Sequence, residues 1–243
     1  MTDALRGHHD RYGSSTPKAG ELSLPQAFLL LATNDIDGEP ELPAYMLRTA
    51  VAGAILAELD LLEAIELQGK NLRATGTEPQ THLRHELEII RHKSRPHSPK
   101  KWVSILEGRA EVQRVYESMA SRGILDQVGE KHLGVFKRVR HPEKDHAPEA
   151  ALLKKIESTL SGAPADSTSK SPAAKPVTPE AAHADTDPRT RALIALLHAA
   201  GVLEKLFPAA DRNRIQELAG DHWPSRAVED ELRELRVAAE PLV

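Results

Sequence analysis

Between Ala44 and Leu62 the chain reads AYMLRTAVAGAILAELDLL, and apolar residues fall on nearly every face of the helix this stretch would form. Such a helix has no side to give to water, so other elements must surround it. Gly53 and the alanines beside it would let a neighbouring helix come close. A second all-round apolar helix is expected in DPRTRALIALLHAAGVLEKLFP, where Asp187 suits the N-cap and Pro188 the first helical position. A shorter one is expected in LSLPQAFLLLA, with Pro25 in its first turn. These segments predict a mainly α fold, a central helical bundle with surrounding helices.

Two hairpins punctuate the helices. AIELQGKNLRA reads as one, turning at Gln68-Gly69, and HLGVFKRVRHP as a second that projects after RGIL. A further helix is expected from about Val103 to Ser121. Helix, small turn, Ile/Leu and hairpin therefore follow one another twice, in Ala50–Ala74 and in Arg109–Val139, a loose internal echo. Residues 1–19 are polar and expected to be disordered. Residues 162–186 are rich in Ala, Pro, Ser and Thr, with Val177 the one large apolar side chain, and read as a flexible inserted loop. The roughly 57 residues after it are short for a core of their own. They are expected to pack back, making 20–243 a single domain.

The net charge of −4 conceals an asymmetry. Residues 19–81 hold ten Asp and Glu against three Lys and Arg; residues 82–141 hold thirteen Lys and Arg against seven Asp and Glu, with six histidines besides. A half that basic suits an anionic partner, lipid headgroups or nucleic acid. The absence of cysteine excludes disulfides, thiol catalysis and thiolate metal sites. The N-terminal residues lack the apolar core of a signal peptide, and no run of about 18 apolar residues occurs. The expectation is a cytoplasmic protein able to sit peripherally on the cytoplasmic face of a membrane.

Metal and catalytic motifs fail on spacing. ATNDIDGEPELP has the look of half a calcium loop, but with Gly38 at loop position 6 the bidentate Glu of position 12 becomes Ala44. An Asp-Gly turn is the better reading, and no metal site is expected. His82, His85 and His92 lie close in sequence without forming H-E-x-x-H. His198, in an apolar helix, reads as a core histidine. With no Gly-rich phosphate loop and no nucleophile elbow, neither an enzyme nor a cofactor is expected.

Four segments in order, LSLPQAFLLLATNDIDGEP, AVAGAILAELDLLEAIEL, SRGIL with its hairpin ending in RHP, and DPRTRALIALLHAAGVLEKLF, resemble the Golgi phosphoprotein 3-like family. The resemblance runs from residue 20 to about 236 apart from the loop, and is greatest to the bacterial branch. It implies a helical fold around a central bundle with a projecting hairpin, through which members can pair into homo-oligomers. Eukaryotic members bind phosphatidylinositol 4-phosphate and hold the cytoplasmic tails of glycosyltransferases. An anionic phospholipid membrane and the tails of membrane proteins are thus the implied partners. The family's headgroup residues, one Trp and three Arg, fall here at Pro43, Ala52, Arg109 and Val112, so Arg109 alone is retained.

Other cations could take up the role. Arg48 lies one helical turn before Ala52, Arg114 just past Val112, and Lys100 and Lys101 close the basic connector RHKSRPHSPKKW. Guanidinium groups grip phosphate bidentately and ammonium groups add point charge. Trp102 reads as a core anchor. On the second hairpin, strand alternation puts Leu133, Val135 and Val139 on one face, and His132, Phe136, Arg138 and Arg140 on the other. An aromatic among cations suits contact with a membrane interface. The alternative is a winged-helix nucleic-acid binder, disfavoured because EVQRVYESMASRG carries few base-reading side chains and aromatics make up only 3% of the chain.

Overall fold

The computed structural model describes residues 21–132, 135–162 and 186–239, with the backbone alone for 130–132 and 135–138. The tail at 1–19, the loop at 162–186 apart from its two end residues, and Leu133 lie outside the described residues.

Helix α2 (Ala44–Leu61) occupies the middle, as its all-round apolar surface demands, and thirteen residues from Leu47 to Leu61 are buried. Helix α1 (Leu24–Leu31), buried at all eight positions, lies against it. The Ser23 N–H donates to Gln26 Oε1 at 3.0 Å where α1 begins. A Cβ on Gly53 would stand 2.1 Å from Val228 Cγ2. That glycine is what lets the long C-terminal helix reach α2.

The chain continues through a hairpin, β1 (Ile65–Gln68) with β2 (Asn71–Ala74), to α3 (Arg84–Arg91), α4 (Pro99–Leu106) and α5 (Arg109–Ser121). Gln68 pairs with Asn71, so the turn is Gly69-Lys70, one residue later than expected. The single helix expected over 103–121 is two. Ser98 caps α4 by accepting the Lys101 N–H at 3.3 Å, with Pro99 in the first turn, and Gly108 starts α5 afresh. Helix α3 was not anticipated; only Glu86, Leu87 and Ile90 on it are buried.

The second hairpin, β3 (Val128–His132) with β4 (Val135–Arg140), follows α5. Its register sets Lys131 opposite Phe136 and His132 opposite Val135. The side chains of His132, Leu133, Phe136 and Arg138, on which the expected faces of this hairpin rest, lie outside the described residues. The echo between the halves is real at the helix ends: Ala64 N–H donates to Leu59 O at 2.9 Å, and Ile124 N–H to Met119 O at 3.1 Å.

Then come α6 (Ala147–Leu160), α7 (Pro188–Ala199), α8 (Leu203–Leu206), α9 (Arg212–Ala219) and α10 (Trp223–Ala239). Asp187 caps α7 as expected, accepting from the Arg189 and Thr190 N–H groups. Both α7 and α10 pack on α2. The fold is mainly α.

One buried ion pair ties three of these pieces together. Arg189 on α7 donates to both carboxylate oxygens of Glu58 on α2, at 2.5 and 3.1 Å. Glu58 Oε2 also accepts the Leu24 N–H at the start of α1, at 2.8 Å.

Candidate functional site

The basic connector does not stay loose. Leu72 N–H of β2 donates to His97 O at 2.8 Å, which draws residues 93–97 alongside the first hairpin. Between connector, hairpin and α3 lies a cleft of about 330 Å³. Arg73, Lys93 and Arg95 line it, and none of the three makes an ion pair among the described residues. Arg91 lines it too, but donates to Glu88 at 2.8 Å and to Thr77 O at 2.7 Å. Trp102, 1% exposed, forms part of the wall, held edge-on to the His97 ring at a centroid distance of 5.6 Å. Its Nε1–H is buried without a hydrogen-bond partner among the described residues. Buried donors are rarely left unpaired, and Trp102 lines the same cleft as Arg73, Lys93, Arg95 and Ser94. An oxyanion of phosphate type has the complementary chemistry.

The residues singled out from sequence divide in two. Arg48 is half-buried, Lys101 and Arg109 are exposed, and none makes an ion pair among the described residues. A hydrogen bond of 2.8 Å from Thr49 to Glu107 brings their two segments together. Arg114 and Lys100 have their charges taken up within the protein. Arg114 donates to the buried Glu86 at 3.1 and 2.9 Å and to Glu111 at 2.9 Å, and Lys100 pairs with Glu234. Ala52 has no exposed surface and Val112 only 9%, so neither position can offer a headgroup donor. Arg73, Lys93 and Arg95 escaped the sequence reading, although the connector's basic character was the signal for two of them.

On the second hairpin, β4 carries the Phe136 and Arg138 positions. Arg140 is half-exposed and pairs with Glu39 at 3.1 Å. Trp102 is buried, as expected of a core anchor, whereas His198 is half-buried and pairs with Glu204. His82, His85 and His92 are all exposed, with His85 on α3 and the other two flanking that helix. On α5, Val112, Val115, Tyr116 and Met119 are buried against the core.

The Asp-Gly turn at 35–38 is a turn, but it does not hang free. Gly38, at φ 67°, lies so close to the end of the second hairpin that a Cβ there would stand 2.3 Å from Pro142 N. Docking the turn brings Asp35 beside Glu143, His146 and Glu149, with one ligating atom of each within 4.8 Å of the others. Burial, then the charges of Asp35 and Glu143, push the Glu149 carboxyl up to about 8.

Among the described residues no helix is long and apolar enough to cross a membrane. The profile of the Golgi phosphoprotein 3 (GPP34) family matches residues 24–235, most of the chain. The protein belongs to that family.

Proposed function

We propose that the protein is a peripheral membrane protein that binds anionic phospholipid headgroups on a cytoplasmic membrane face, and that it acts there as an adaptor for the tails of membrane proteins rather than as an enzyme. The cleft carries this reading: Arg73, Lys93 and Arg95, none in an ion pair among the described residues, line with Ser94 and Trp102 a space of about 330 Å³, large enough for a headgroup. Family membership supports it. With Ala52 and Val112 buried, the headgroup is received beside the first hairpin rather than at the family's own positions. Arg48, Lys101 and Arg109 add charge near the α4–α5 junction. Phe136, Arg138 and Arg140 supply a second contact, which in some states pairs two copies.

Each basic residue close to an anionic surface contributes roughly 1 kcal/mol. Reversing Arg73, Lys93 and Arg95 together to Glu is therefore expected to weaken binding to phosphatidylglycerol vesicles by at least about a hundredfold. Replacing Arg138 and Arg140 by Gln, which sets no new carboxylate against Glu39, should weaken it less, with a cooperative melting curve retained. Full binding by the cleft variant would remove the headgroup site from the cleft; full binding by the hairpin variant would remove the second contact.

A further inference from the structure

At the docked turn, His146 is the basic side chain paired with the acidic group among the described residues. Among the described residues, no Lys or Arg forms an ion pair with Asp35, Glu143 or Glu149, although Lys144 and Arg140 close by are engaged with Asp126 and Glu39. Glu143 is the telling member. Its side chain is 2% exposed; Oε2 meets His146 Nδ1 at 2.5 Å, while the buried Oε1 has no hydrogen-bond partner among the described residues. A carboxylate oxygen removed from water without a partner is costly, and here it belongs to a side chain that shares a cluster with Asp35 and Glu149.

We propose that Asp35, Glu143, His146 and Glu149 bind one divalent transition-metal cation of the manganese or zinc class. The donor set, three carboxylates and one imidazole, suits such ions better than calcium, which takes oxygen ligands almost throughout. Two opposite ligands on an ion with bonds of about 2.1 Å stand about 4.2 Å apart. Ligands placed tetrahedrally stand about 3.4 Å apart, so the four donors, within 4.8 Å of one another, are drawn onto one ion by closing up to about 1.4 Å, which the exposed Asp35 and His146 side chains can supply. The ion would give Oε1 of Glu143 the partner it lacks and offset the repulsion. It would also pin the 35–38 turn to the end of β4 and the start of α6, three pieces otherwise joined by backbone hydrogen bonds such as His141 N–H to Gly38 O at 3.1 Å. This holds whether or not the cleft binds lipid.

The test is titration of the chelator-treated full-length protein with manganese chloride, followed by electron paramagnetic resonance of free manganese, and with zinc chloride by calorimetry. Asp35 and His146 are exposed, so Asp35→Asn with His146→Ala should fold, which its melting curve will check. About one equivalent of ion is expected to bind the native protein, and about tenfold or more weaker in the double variant. A rise in melting temperature on adding ion should vanish with it. No binding by the native protein, or binding that the double variant keeps, overturns the site and leaves a proton on Glu149 as what relieves the carboxylates.

Discussion

Single residues set the terms on which charge enters this protein. Glu58 and Arg189 are tolerable in the interior because each satisfies the other and Glu58 also receives a backbone N–H. Asp60, two residues on, is less well compensated. Burial pushes its carboxyl up to about 6, and the 3.2 Å hydrogen bond from Trp223 Nε1–H only partly opposes this. Between the unfolded value of 3.8 and about 6, the folded chain holds a proton that the unfolded chain releases. The Asp60 contribution is thus fully present below the lower value and is lost as pH rises to the upper one. Asp60→Asn keeps an acceptor for Trp223 and has no proton to lose. Its stability relative to the native protein should climb from pH 4 to pH 6 by up to about 3 kcal/mol and then level off. Urea denaturation across that range checks this; a difference that does not change with pH would contradict it.

Among the elements, α2 and α7 were legible because a helix apolar on every side has one place to go. Helices α3 and α6 were not, since α3 buries three residues and α6 one, too few to leave a clear period. The α4–α5 break was missed because Ser98-Pro99 and Gly108, each a helix signal, were passed over in favour of the apolar run between them. The close approach at Gly53 was foreseen, and the structure names its partner, Val228. Gly53→Ala should force α10 away from α2 and cost about 1–3 kcal/mol of unfolding free energy, more than helix propensity would return. An unchanged denaturation midpoint would mean that Val228 can give way.

At the level of the whole molecule, the charge asymmetry pointed to an anionic partner, and the cleft offers a place for one. Its walls could not be paired from sequence, because the Leu72–His97 hydrogen bond that closes them joins a strand to a connector with no periodic signal. The same holds for Asp35 and Glu143, brought together by the backbone contact at Gly38. The measurement that bears most directly on lipid binding is co-sedimentation of the full-length protein with vesicles. Neutral vesicles would be compared with ones carrying phosphatidylglycerol, cardiolipin, phosphatidylinositol or its 4-phosphate, at low and physiological salt. Binding to the anionic vesicles, persisting at physiological salt for at least one headgroup because the cleft encloses it, is the expected result. No binding to any anionic vesicle at low salt would contradict the proposed function.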